Sequence, residues 1–112
     1  MRILVTGANG YLGSGIVRSL INAGADIIAT DFIDTNIDPR AEVITGDLFD
    51  LSDPYEKLGA PDVLLHLAWR DGFVHNSDSH IDDLCKHYHF INKMMDGGVK
   101  RVCIMGSMHE IG

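Results

Sequence analysis

Glycines at positions 7, 10 and 13 follow Thr6 and the apolar run Ile3-Leu4-Val5, and they precede a segment with helical periodicity. Residues of this kind at this spacing suit a phosphate-binding turn. Gly7 permits a sharp exit from a strand, Gly10 lets the backbone approach a pyrophosphate, and Gly13 lets the following helix lie close to the sheet. A helix opening near Tyr11 would aim free N–H groups and the positive end of its dipole at the phosphates. A glycine triplet alone is weak evidence; a preceding strand, a following helix and an acidic residue closing the next strand make it specific. Asp31 is that residue, directly after Ile27-Ile28-Ala29-Thr30 and close to the separation of about 20 residues that the pattern requires. Its carboxylate can accept hydrogen bonds from both ribose hydroxyls of an adenosine and would repel an added phosphate, so NAD is expected rather than NADP.

These groups need a scaffold, and the hydropathy pattern supplies one. Ile3–Thr6, Asp26–Thr30 and Glu42–Thr45 read as buried parallel strands, with two more at Asp62–Leu67, after Pro61, and Arg101–Met105, after Gly97-Gly98. Tyr11–Ala23 carries Leu12, Ile16, Leu20 and Ala23 at helical spacing and is followed by Gly24 at the C-cap. A short helix is predicted at Pro54–Leu58 and a long one over Ser79–Asp96, with Leu84, Tyr88, Ile91 and Met95 as its inward stripe. The alternation predicts an α/β fold: a Rossmann-type doubly wound parallel sheet of about five strands, with right-handed crossovers and helices on both faces. The polar stretch Trp69–Asp78 leaves the carboxyl end of the fourth strand, where it is either a wall of the ligand crevice or a surface connection.

Composition excludes several classes. The chain has 112 residues, enough for one domain with a conventional core, and is 46% hydrophobic with 22% charged residues. No apolar run is long enough to cross a bilayer. Arg2 is followed at once by strand-like residues rather than by the order of a signal peptide, so a cytoplasmic protein without a membrane partner is expected. A net charge of −7, with only Lys100-Arg101 adjacent, disfavours nucleic acid as a partner. Cys85 and Cys103 lack ligand spacing and are expected to be reduced thiols.

The motif Thr6-Gly7-Ala8-Asn9-Gly10-Tyr11-Leu12-Gly13 is similar to the TGxxGxxG fingerprint of the extended short-chain dehydrogenase/reductase family, in particular its NAD-dependent epimerase/dehydratase branch acting on nucleotide sugars. Gly46-Asp47-Leu48 resembles the GD(L/I) element after the third strand, His66-Leu67-Ala68-Trp69 the HLAA motif ending the fourth, and Gly98-Val99-Lys100-Arg101 the GVKR element before the fifth. Gly106-Ser107-Met108-His109-Glu110-Ile111-Gly112 resembles SSxxxYG. The resemblance covers essentially the whole chain. It implies cofactor contacts from Gly7, Asn9, Gly10, Tyr11, Leu12, Gly13, Asp31, Asp47, Leu48, Leu67, Ala68 and Trp69, a catalytic hydroxyl at Ser107, a nucleotide-sugar substrate, and a homodimer formed partly by the helix from Ser79.

Departures from the family pattern are informative. Trp69 stands where the second alanine of HLAA is usual, Asp83 falls near a helix asparagine, and Gly106 and Ile111 replace the first serine and the tyrosine of SSxxxYG. The family's acid/base pair, YxxxK, does not occur: Tyr11, Tyr55 and Tyr88 are followed at that spacing by Gly15, Gly59 and Asn92. A phenol with an ordinary pKa near 10 is a poor base at neutral pH until a neighbouring cation stabilises its phenolate. Residues 1–112 are therefore expected to be the N-terminal part of an NAD(P)-binding domain, inactive alone and completed by sequence beyond Gly112. The alternative is a dinucleotide-binding or sensing module without chemistry.

Histidine patterning suggests no metal site. His87 and His89 project to different sides of a helix, and His80 with His87 lacks a third ligand. His66 is expected to end a buried strand and hydrogen-bond main chain, while His75 and His109 lie in loops that could approach substrate, His109 being nearest to Ser107.

Overall fold

A computed structural model describes residues 1–67 and 78–104, with only the backbone described over 78–84. The strands are β1 (Arg2–Thr6), β2 (Asp26–Asp31), β3 (Glu42–Thr45), β4 (Val63–His66) and β5 (Arg101–Ile104); the helix α1 (Tyr11–Asn22) joins β1 to β2, α2 (Pro54–Lys57) lies between β3 and β4, α3 (Asp78–Gly97) lies between β4 and β5, and β2 passes to β3 without a helix. A single turn of 3-10 helix, Leu48–Asp50, was not anticipated from the sequence. All pairings are parallel, in the order β3-β2-β1-β4-β5. The chain runs outward from β1 through β2 to β3, then returns to the other side of β1 as β4. The crevice thus opens at the carboxyl ends of β1 and β4, the topological switch point of such sheets.

Strand alternation sends successive side chains to opposite faces, and each face has its own core. Leu4, Ile28 and Leu64 join Leu48, Leu58, Phe90, Met94 and Val99 beneath α2 and α3. Val5, Ile27 and Ala29 join Ala8, Val17, Ile37 and Ala41 beneath α1. Both faces are covered, which explains why the strand sequences read as continuous apolar runs.

The buried face of α1 consists of Gly13 and Val17, with Leu20 and Ile21 partly buried. Leu12, placed on the apolar stripe by its spacing, is 52% exposed, because the helix pivots on Gly13 at the sheet. The C-terminus closes in a Schellman motif: Gly24, with φ 93°, donates to the Ile21 carbonyl at 2.9 Å and Ala25 to that of Leu20 at 3.0 Å.

The register expected for α3 is corrected. His87, Phe90 and Met94 face the sheet, with Ile91 partly buried, whereas Tyr88 is 63% and Met95 54% exposed. Two apolar stripes lie side by side on this helix; of the stripe read from hydropathy, Ile91 packs against the core while Tyr88 and Met95 do not. The inward face is the one on which His87 meets His66. Leu84 lies outside the described side chains.

Candidate functional site

Strand register brings Thr6, Thr30 and His66 level with one another. The first turn leaves Thr6 through Gly7, with φ 66°, a conformation that suits glycine. A Cβ on Gly13 would meet the Gly7 carbonyl oxygen, and would lie 2.9 Å from the Ala8 Cα. Backbone on backbone cannot yield as a flexible side chain can, so only glycine allows α1 to start this close to the turn. Gly10 precedes the helix as its N-cap without a side-chain cap. Ser14 is the first residue to donate back, to the Gly10 carbonyl at 2.8 Å, which leaves the amides of Tyr11, Leu12 and Gly13 without intrahelical partners. Tyr11 itself is 98% exposed. No acidic residue occupies the first turn to compete with an anion.

Asp31 closes β2 beside this helix start. Its Oδ2 accepts from the Asn9 amide at 2.9 Å and its Oδ1 from the Phe32 amide at 2.7 Å. Each carboxylate oxygen keeps a further acceptor site, so the two amides fix the group without saturating it. Gly46 donates to the Asp31 carbonyl at 3.0 Å, which draws the end of β3 to the same place. The Asp47 side chain accepts from the Phe49 amide at 2.9 Å and caps the 3-10 turn. The Leu48 side chain lies in the core, so only its main chain could meet a ligand. Leu67 is partly buried and donates from its amide to Thr6 Oγ1 at 2.9 Å.

The structure therefore gathers Gly7, Asn9, Gly10, Tyr11, Leu12, Gly13 and Asp31 around one helix terminus, with Asp47 and Leu48 along the adjoining strand end and Leu67 across the crevice. Ala68, Trp69, Ser107, His75 and His109 lie outside the described residues, as does the side chain of Asp83. Several participants were not singled out from sequence. Asn36 donates from its amide to Asn9 Oδ1 at 2.6 Å and from Nδ2 to the Asn9 carbonyl at 3.3 Å, tying the loop after β2 to the glycine turn. Phe32 and Ile33, both largely exposed, directly follow Asp31; bulky apolar residues immediately past a strand end were the signal available for them.

A third unanticipated feature is a buried polar chain behind the turn. Thr6, His66 and His87 are all buried. Thr6 Oγ1 lies 2.8 Å from His66 Nδ1, and His66 Nε2 lies 2.5 Å from His87 Nδ1. Both ring nitrogens of His66 thus meet side chains, where the sequence suggested main-chain partners; strand pairing puts Thr6 beside it and α3 puts His87 above it. Burial, and then the neighbouring His87, push the His66 pKa down to about 3, so the ring is neutral at physiological pH.

Comparison with known proteins agrees with this geometry. The model of a family described as the NAD dependent epimerase/dehydratase family matches residues 3–112. The dTDP-6-deoxy-L-talose 4-dehydrogenase (NAD(+)) of Aggregatibacter actinomycetemcomitans is 40% identical over 119 residues, an alignment covering 100% of this chain and 43% of that protein. A solved structure of MoeE5 in complex with UDP-glucose and NAD aligns with a TM-score of 0.75 at 27% identity, over 100% of this chain and 38% of the other. The UDP-glucose 4-epimerase of Thermotoga maritima shares the fold, with a TM-score of 0.77 at 24% identity over 93% of this chain and 37% of its own. This chain spans less than half the length of each of these proteins. Among the described residues, no helix is long and apolar enough to cross a membrane.

Proposed function

Because this chain belongs to the NAD dependent epimerase/dehydratase family, we propose that it is the NAD-binding part of an enzyme that oxidises, reduces, dehydrates or epimerises a nucleotide sugar. The observation that carries this reading is the Asp31 carboxylate held beside the uncapped start of α1, where Gly13 keeps the approach open. When bound, NAD would accept or return the hydride. The chain's own residues bind and orient. Amides of Tyr11, Leu12 and Gly13 take the pyrophosphate together with the Gly7–Gly10 turn. Asp31 accepts from the adenosine ribose hydroxyls, while Phe32, Asp47 and the Leu48 main chain border the adenine. Leu67 borders the nicotinamide side, and the resemblance to the family motifs implies the same role for Ala68 and Trp69 and a hydroxyl contact to the sugar oxygen for Ser107. No YxxxK pair occurs within these 112 residues, so this reading assigns the chain binding and orientation rather than the acid/base step.

The substrate class is supported by the dTDP-sugar named for the relative of A. actinomycetemcomitans and by the UDP-glucose bound to MoeE5. The exposed Tyr88 and Met95 of α3 favour a homodimer through that helix, and the two exposed free cysteines suit a cytoplasmic setting.

Asp31→Asn in the complete protein tests the cofactor assignment. It keeps the side chain's shape but removes its charge and one acceptor, a change of about 1.5–3 kcal/mol for a charge-assisted hydrogen bond. NADH affinity should fall by about tenfold or more while NADPH affinity holds or improves. Equal losses for both would refute the assignment, and tight NAD binding without turnover of any nucleotide sugar would favour the binding module.

A further inference from the structure

The chain of buried polar groups behind the glycine turn reaches three segments that border the crevice, and His87 is the residue common to them. Through His66 it connects to Thr6, the residue immediately before Gly7, and Thr6 Oγ1 also holds the Leu67 amide at the end of β4. Its ring also stands edge-on to Phe49, with centroids 4.8 Å apart and planes at 87°. Phe49 belongs to the 3-10 turn that Asp47 caps. His66 is further fixed by Phe90, whose ring lies 5.2 Å away and tilted by 30°. One imidazole on α3 therefore bears on the turn after β1, the end of β4 and the turn after β3.

The geometry points to His87 as a positioning residue for the dinucleotide crevice: its hydrogen bond to His66 sets where Thr6, and with it the Gly7 turn and the Leu67 strand end, stand relative to α3. This inference rests on the NAD-binding reading above. The physical basis is direct bonding: Thr6, His66 and His87 follow one another at hydrogen-bond distance. A neutral imidazole offers one donor and one acceptor. Thr6 Oγ1 already accepts from Leu67, so the proton it shares with His66 Nδ1 decides what His66 Nε2 can offer to His87. A partner at the place of the His87 Nδ1 keeps that order intact; a partner that is absent or displaced leaves a buried His66 nitrogen to find another, and His66 is directly bonded to the residue that launches the turn. Within a close-packed interior such a change is passed on rather than absorbed.

Three variants of the complete protein separate positioning from mere structural support, with the NAD dissociation constant measured well below each variant's unfolding temperature. His87→Phe keeps the ring and its edge contact with Phe49 but has no nitrogen for His66. His87→Asn places an amide where Nδ1 stood, able to donate or accept. His87→Gln carries the amide one bond too far out and provides the test if the phenylalanine variant does not fold. Phe and Gln should weaken NAD binding by about tenfold, the low end of what a misplaced binding group costs, while Asn should stay within about threefold of the parent. A purely structural His87 would lower the unfolding temperature of all three and leave the NAD affinity of the folded molecules unchanged; that result overturns the inference. So does an asparagine variant no better than the phenylalanine one, or a folded glutamine variant with parental affinity. A parent protein that does not bind NAD would instead refute the functional reading on which this rests.

Discussion

Acidification from pH 7 to pH 5 should destabilise the fold through His66, and the size of the effect follows from its burial. The folded pKa is about 3, against an ordinary value of 6.5. A base whose folded pKa is depressed contributes its full stability above the unfolded pKa. That stability is lost as pH falls from 6.5 towards 3, because the unfolded chain takes up a proton that the folded protein refuses. At pH 7 few unfolded molecules carry the proton and the loss is about 0.2 kcal/mol; at pH 5 it is about 2 kcal/mol, from RT ln(1 + 10^(pKa − pH)) with the unfolded value. His66 is fully buried, so solvent screening does not reduce the figure. Asp38, held to about 2 first by the Arg40 side-chain hydrogen bond, loses its contribution only below the ordinary carboxylate range and leaves this window clear. Urea unfolding of the complete protein at both pH values, beside His66→Asn, isolates the term. The asparagine cannot titrate but can still bond Thr6 Oγ1. The parent should lose about 2 kcal/mol more than the variant over this interval. An equal loss in both would refute the claim that the fold holds His66 neutral.

Two further substitutions probe the scaffold. Gly13→Ala puts a methyl group against the Gly7 carbonyl and the Ala8 Cα; overpacking of this kind should cost about 1–3 kcal/mol, and NAD affinity should fall with it, since α1 must back away from the turn. Thermal unfolding together with cofactor titration checks both parts. Leu64→Ala empties a fully buried site beneath α3 and should cost about 2–5 kcal/mol, measured by denaturant unfolding; a loss below about 1 kcal/mol would mean that the core beneath α3 closes over the gap.

Much of the site was legible in sequence because local chemistry dictates it. Gly7 and Gly13 occupy positions where backbone conformation or close approach permits little else, and Asp31 follows an apolar strand by a fixed distance. The boundaries of β1, α1 and β3 depend on short-range pattern and turn residues, and they emerge within a residue of their expected places. The parallel, doubly wound sheet was legible in the same way, whereas the order β3-β2-β1-β4-β5 came from the structure.

Other properties depend on which residues distant in sequence become neighbours. Hydropathy could not choose between two apolar stripes on α3: the inward face carries Phe90 and Met94 in the core together with His87, which meets the His66 that β4 brings beneath it. The same pairing gave His66 side-chain partners and lowered its pKa. Asn36 joined the site because the loop after β2 folds back onto Asn9, a contact that no spacing rule contains. The sequence by itself determined the glycine turn, the carboxylate that closes β2 and the strand-and-helix scaffold, each set by residues near one another along the chain. Tertiary structure alone decided which helix face is buried, how the crevice walls are braced and which histidine stays neutral, because desolvation and hydrogen-bond partnership are properties of packed neighbours rather than of order along the chain.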